Sequence, residues 1–262
     1  MVVGMEVSNA SFGYRPGKNV FDNVSLRSAD NDVLCILGPN GCGKTTLLKC
    51  VSGILKLQQG DVLIGGQSLR SMKRHEIAAI MGYIPQEHAT GFAYKVIDVV
   101  LMGRTPHLSI FASPSEKDYR IAEEAIEMVG VSQLAESKYT EISGGERQLV
   151  LIARTLAQQP KMLLLDEPTS HLDFRNQTLV LKLIGKLAKS GLSVVMTSHF
   201  PDHALAYAGQ IALMHNGSFL AQGSPGDVVN EKTLEEIYGV PVKIFSVRDP
   251  ETGEEVRFCR AA

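Results

Sequence analysis

Gly38-Pro39-Asn40-Gly41-Cys42-Gly43-Lys44-Thr45 follows the apolar run Val33-Leu34-Cys35-Ile36-Leu37 and leads into a helix expected from Lys44 to about Ser52. The pattern G-x-x-x-x-G-K-[ST], with a buried strand before it and a helix after it, is that of a phosphate-binding loop. Its glycines let backbone N–H groups turn inward around phosphate oxygens, and the helix N-terminus adds positive potential. Lys44 would neutralise β and γ phosphates, and the Thr45 hydroxyl would ligate Mg²⁺. A glycine-rich turn without a ligand is the plainer alternative, and the flanking strand and helix argue against it.

Downstream, Met162-Leu163-Leu164-Leu165-Asp166-Glu167 is an apolar strand ending in two carboxylates. Strands often end in acids, so this pattern is weak alone. Beside a phosphate loop it gains meaning, because Asp166 would supply a second Mg²⁺ contact. Glu167 would serve as general base or orient the attacking water.

Between these segments, Ile142-Ser143-Gly144-Gly145-Glu146 precedes the apolar helix around Leu149–Ala153. Ser143 and Glu146 form a capping-box pattern. Gly144 and Gly145 add nothing to a cap, and glycine in a helix costs up to about 1 kcal/mol relative to alanine. An anion that must approach the backbone amides closely would account for both.

The order of phosphate loop, Ser-Gly-Gly-Glu segment and Asp-Glu strand resembles that of ATP-binding-cassette (ABC) ATPases, over nearly the whole chain. The resemblance implies an ATP site built from Tyr14, which would stack on adenine, from the loop Gly38 to Thr45 with Thr46, and from Ser143 to Glu146 and Asp173. It implies that Gln86 senses the γ-phosphate and Mg²⁺ and faces a membrane partner, and that His199 contacts the γ-phosphate. The catalytic set is then Glu167, His199, Lys44 and Gln86, and the Mg²⁺ set is Thr45, Gln86 and Asp166. The loop Ser170-His171-Leu172-Asp173 is expected to meet a second subunit, so the active unit is expected to be a homodimer. Glu146 replaces the more common glutamine and Ile142 the usual leucine; neither removes a group that a phosphate needs.

The expected fold is α/β: a phosphate-loop core with a mostly parallel sheet, an N-terminal antiparallel β subdomain and an inserted helical subdomain. One domain spans 1–262, with the nucleotide-binding core at 1–86 and 145–262 and the insertion at 87–144, ending in the signature. Within the insertion, Ser115–Val129 reads as an amphipathic helix with Tyr119, Ala122, Ile126 and Val129 on its apolar face. Val96 to His107, ending in Gly103-Arg104-Thr105-Pro106, resembles a stretch of importer ATPases for iron–siderophores, haem, cobalamin and molybdate. The segment Pro168–Asp173 fits the same subgroup. The chain is therefore expected to power uptake of a metal chelate or a metal oxyanion. A transporter for another solute, a cassette protein acting on nucleic acid or ribosomes, and a phosphate-loop kinase are the competing readings.

Composition narrows these. The 262 residues carry 26 Lys+Arg and 28 Asp+Glu, with a pI near 6.4, which disfavours a polybasic nucleic-acid binder. At 44% hydrophobic and 21% charged the chain reads as globular rather than disordered. No apolar run reaches the ~18–20 residues of a membrane span, and the N-terminus has no signal-peptide pattern. Such an ATPase would borrow its pore, so multi-span permease subunits and, indirectly, a solute-binding protein are expected partners. Its place would be the cytoplasmic face of the membrane. Phe92, Tyr94, Leu108, Ile110 and Phe111 are the apolar groups expected to form the docking surface. Cys42, beside Lys44 and a helix N-terminus, has the two neighbours that lower a thiol pKa.

Overall fold

The structure is a computed structural model that describes residues 4–86, 93–109, 112–250, 253 and 255–262. Its strands are β1 (Met5–Phe12), β2 (Phe21–Ser28), β3 (Val33–Leu37), β4 (Gln59–Ile64), β5 (Gln67–Ser68), β6 (Met81–Ile84), β7 (Met162–Leu165), β8 (Ser193–Ser198), β9 (Gln210–His215), β10 (Ser218–Gly223), β11 (Val242–Arg248) and β12 (Glu255–Ala261). The helices are α1 (Lys44–Val51), α2 (Arg74–Ile80), α3 (Val96–Leu101), α4 (Glu116–Met128), α5 (Gly144–Ala157), α6 (Phe174–Lys189), α7 (Pro201–Tyr207), α8 (Pro225–Val228) and α9 (Glu231–Tyr238).

A six-stranded sheet ordered β10-β9-β3-β8-β7-β6 forms the centre. Its four inner pairings are parallel, and only β10 joins antiparallel, at the edge. The inner strands read as unbroken apolar runs because both faces are covered. In β3, Val33, Cys35 and Leu37 face the cluster that holds α3 to α6, whereas Leu34 and Ile36 face the one that holds α1 and the N-terminal strands. In β7, Leu163 and Leu165 divide from Met162 and Leu164 in the same way. The N-terminal strands make the separate antiparallel sheet β2-β1-β4-β5. The expected α/β architecture, with its antiparallel β subdomain, is the one observed.

The helices α3 and α4 pack on α5 and on each other. The sequence places Tyr119 on the buried face of α4, and this is corrected. Tyr119 is exposed, and the buried positions are Asp118, Ile121, Ala122, Ala125 and Ile126. An acid displaces the aromatic because Asp118 has a buried partner. Arg104 Nε donates to Asp118 Oδ1 at 2.9 Å, and Arg104 Nη1 donates to the Ala157 carbonyl at 2.7 Å and to Gln159 Oε1 at 3.1 Å. The guanidinium thus joins α4 to the C-terminal end of α5, where a cation also meets the favourable end of the helix dipole. Gly103 lies against α5, where a Cβ would collide with the Arg154 carbonyl oxygen. The Gly103-Arg104 pair therefore fastens the inserted helices to the core. Helix α6 starts at Phe174, where Asp173 caps it by accepting from the Asn176 N–H at 2.8 Å.

Candidate active site

The phosphate loop leaves the C-terminal end of β3 and enters α1, as the sequence requires. Gly43 caps the helix at φ 111°, a conformation costly for any residue with a Cβ. The loop borders a cleft of about 320 Å³ lined by Tyr14, Asn40, Gly41, Gly43, Lys44, Thr45, Thr46, Gln86 and Glu167. Ten residues expected for the ATP site or its catalysis are thereby gathered or bonded at one place: those nine and His199, which reaches the cleft through Glu167. Tyr14 is exposed and packs edge-on against Phe12, and its hydroxyl lies 3.3 Å from Thr46 Oγ1. Its open ring face suits a stacking partner.

Glu167 is the hub. Its carboxylate is buried, and three donors converge on Oε2: Gln86 Nε2 at 3.1 Å, Ser170 Oγ at 2.9 Å and His199 Nδ1 at 3.0 Å. Oε1 faces Lys44 Nζ at 3.4 Å. The ammonium also donates to the carbonyls of Gly38 and Pro39 at 2.8 and 2.9 Å. Glu167 sits at φ 47°, a left-handed conformation that costs a non-glycine residue of order 1–3 kcal/mol. Such strain persists where the surroundings over-determine it, and here four side chains and a backbone hydrogen bond do so.

Asp166 points elsewhere, as adjacent residues at a strand end should. Its Oδ1 accepts from Thr45 Oγ1 at 2.9 Å and from Thr197 Oγ1 at 2.8 Å, and Oδ2 accepts from Tyr83 at 3.4 Å. Burial pushes its pKa above the usual value, against the downward pull of the Thr197 and Thr45 hydrogen bonds. A buried carboxylate beside a hydroxyl is a hard oxygen site that a cation would relieve. Thr45, Asp166 and the amide oxygen of Gln86 fit Mg²⁺, which is commonly held by one or two carboxylates together with substrate phosphates. Among the described residues no group of three His, Cys, Asp or Glu side chains would hold an ion without a nucleotide.

Ser143, Gly144, Gly145, Glu146 and Asp173 do not line this cleft. Ser143 caps α5 in a reciprocal box with Glu146. Packing adds a second reason for one of the two glycines. A Cβ on Gly144 would meet nothing within 4 Å, whereas one on Gly145 would collide with the Asn176 side chain. Gly145 is thus also constrained by packing against Asn176, and Gly144 leaves open space for an approaching anion. Asn176 Nδ2 also donates to Asp173 Oδ2 at 3.1 Å, so the signature and the Asp173 loop share one contact cluster on this chain.

Cys42 is corrected as well. The thiol is buried, and that burial pushes its pKa up, outweighing the lowering by Lys44. It does not line the cleft.

Sequence reasoning passed over Thr197, Tyr83, Ser170 as a Glu167 partner, and Tyr238, which donates to the His199 carbonyl at 3.0 Å. The available signal for Thr197 was a hydroxyl at the end of the apolar run Val194-Val195-Met196. A second cleft, about 540 Å³, opens between the core and the inserted helices, lined by Tyr83, Pro85, Met102, Thr105, Pro106 and Arg154 among others. Neither Tyr94 nor Leu108 is among its lining residues, and Phe92, Ile110 and Phe111 lie outside the described residues.

Residues 21–170 match the ABC transporter family. The molybdate import ATP-binding protein MolC of Haemophilus influenzae is 36% identical over 91% of this chain and 89% of its own length. A hemin import ATP-binding protein, HmuV, of Gloeobacter violaceus is 37% identical over 93% of this chain and 90% of its own. A probable iron chelatin transport ATP-binding protein of Helicobacter pylori is 36% identical over 91% and 94%. Among solved structures, a metal-chelate type ABC transporter in an inward-facing conformation superposes with a TM-score of 0.88 at 33% identity. The match covers all of this chain and 98% of the other.

Proposed function

The chain belongs to the ABC transporter family as an ATP-hydrolysing domain, and from that premise we propose that it powers import of a metal chelate or a metal oxyanion through a separate permease. In this reading the cargo is an iron–siderophore, haem or cobalamin complex, or an oxyanion such as molybdate, and two copies of the chain sit on the cytoplasmic face of the membrane. Among the described residues no helix is long and apolar enough to cross a bilayer; in this reading the pore belongs to the partner. The names of the relatives support the cargo class.

The observation that carries the chemistry is the convergence on Glu167. ATP would lie in the phosphate-loop cleft with adenine on Tyr14 and its phosphates over the loop amides and Lys44. Thr45, Asp166 and Gln86 would hold Mg²⁺, which when bound neutralises phosphate charge. Three donors occupy Glu167 Oε2 and fix the carboxylate; Oε1, which faces Lys44, becomes free to receive a proton once the ammonium turns to the phosphates. Water attacks the γ-phosphorus, the bond to the bridging oxygen breaks, and the proton of the water passes to Oε1. His199 holds the base in place, and its other ring nitrogen would serve the γ-phosphate. Gln86 bonds the base at one end of its segment, and the cleft beside Met102 and Pro106 is where a short helix of the permease would dock.

Ser143 to Glu146 stand apart from the cleft of their own chain. A second copy would bring its open Gly144 end to the γ-phosphate and complete the site. Two measurements test the reading. Ser143→Arg should leave ATP binding to the isolated subunit nearly intact and abolish hydrolysis; retained turnover would remove the shared-site reading. The chain should also co-purify with a multi-span membrane subunit, and Met102→Glu in the docking cleft should break that association while the free subunit still hydrolyses ATP. Tyr94→Asp and Leu108→Glu, outside the cleft lining, then become controls for the extent of the surface.

A further inference from the structure

Both carboxylates assigned to hydrolysis are tied to one hydroxyl. Thr197 is fully buried near the end of β8, beside β7, where Leu165 is in register with Met196. One rung further along, Thr197 Oγ1 donates to Asp166 Oδ1 at 2.8 Å and accepts the Glu167 N–H at 2.8 Å. A hydroxyl serves both neighbours at once because it is donor and acceptor together. The two bonds are not equivalent in consequence. The first fixes the oxygen that also receives the Thr45 hydroxyl. The second holds the amide of a residue in the left-handed region, and so fixes the turn that aims Glu167 into the cleft.

We propose that Thr197 is a positioning residue of the hydrolytic centre: its hydroxyl locks the Asp166 carboxylate and the Glu167 backbone into one arrangement, so that the metal-holding and proton-accepting groups are set together. This rests on the roles given to Asp166 and Glu167 above. Thr197 reaches no reacting atom itself: it is fully buried and does not line the cleft. Its β-branched shape suits a central strand equally well as valine, so shape does not explain the hydroxyl. Burial does the opposite: a hydroxyl placed there is tolerated only when its bonds are made.

The test uses the full chain and AMP-PNP, with binding measured by calorimetry in EDTA and again in Mg²⁺, beside steady-state ATP turnover. Thr197→Val keeps the shape and removes the bond to each neighbour. It should bind AMP-PNP in EDTA like the unmodified protein, lose about tenfold or more of the affinity gained from Mg²⁺, and lose kcat in parallel. Thr197→Ser should restore both. Should the valine variant not fold, Thr197→Ala takes its place with the same expectations. Asp166→Asn is the reference: it should lose the Mg²⁺ gain. If Asp166→Asn loses that gain and Thr197→Val keeps it, the positioning role is overturned while the assignment of Asp166 stands. If Asp166→Asn keeps the gain, the assignment fails and the proposal falls with it. A lowered melting temperature in Thr197→Val with the Mg²⁺ gain and kcat unchanged would reduce Thr197 to a packing residue.

Discussion

Asp118 and Asp166 are both buried aspartates bonded to hydroxyl groups, one in the inserted helices and one at the nucleotide cleft, and their surroundings push them in opposite directions. Asp118 is held well below the usual carboxylate range by the Ser115 side chain and backbone N–H, and then by Arg104. Asp166 is pushed upward by burial, which its hydrogen bonds to Thr197 and Thr45 only partly offset. The first is a completed junction, with its countercharge present at 2.9 Å. The second has no cation of the chain bonded to it among the described residues. Between these two aspartates, the countercharge that is present marks a structural junction, and the one that is missing marks a place for a cation. The sign of stability against pH follows. For Asp118 the folded pKa lies below the unfolded value near 3.9. Its contribution is present above that value and is lost only as pH falls through the folded one. For Asp166 the folded pKa is raised, so stability falls as pH rises through it, and its ionised form costs stability at neutral pH.

The comparison can be broken first at the junction. Arg104→Ala strands Asp118, Ala157 and Gln159 at once, and removing one partner of a buried pair costs about 3–5 kcal/mol. Urea unfolding should show that loss; a change below about 1 kcal/mol would mean that the pair is screened and the junction is held by α3–α5 packing instead. The cleft should respond with the opposite sign and a smaller size. Asp166→Asn removes an uncompensated charge, so without nucleotide the melting temperature should rise by about 2–4 °C, roughly 1 kcal/mol for a chain of this size. A fall would show that the hydrogen bonds of the carboxylate outweigh its burial. The smallest effect is expected at Cys42. With the thiol buried and its pKa raised, the sulfur takes part in no step of the reaction, and Cys42→Ser should hydrolyse ATP within about twofold of the parent, roughly 0.4 kcal/mol of barrier. Alkylation at neutral pH should be slow, and inactivation that persists in Cys42→Ser would belong to another thiol.

What could be read in the sequence was what contiguous residues carry. Gly38 to Thr45 declares its loop because every backbone amide that it needs lies within one turn. Leu165-Asp166-Glu167 is legible because an apolar strand delivers both acids to one edge. The strands Val33–Leu37 and Met162–Leu165 are legible because their unbroken apolar runs are dictated by coverage on both faces. Thr197 was not legible, because its meaning depends on which strand lies beside β8. Arg104 was noticed only as part of a resemblance; that it bonds Asp118 is a fact of how α4 lies on α5. Tyr119 was misplaced for the same reason: a 3–4 periodicity cannot weigh an aromatic against an acid with a distant partner. At Gly145 contiguous residues offer an electrostatic reason, and Asn176, 31 positions on, adds a steric one.

The central claim is that the carboxylate gathered by Lys44, Gln86, Ser170 and His199 is the base that hydrolyses ATP. Steady-state turnover of Glu167→Gln, measured beside ATP binding on the same preparation, tests it most directly. Glutamine keeps the size of the side chain and can still accept from His199 and Ser170, so binding should be preserved. Turnover should fall by about 10²–10⁴, the contribution expected of a positioned general base, and ATP-bound dimers should accumulate. A fall of less than about tenfold with binding intact would contradict the account and pass the role to His199.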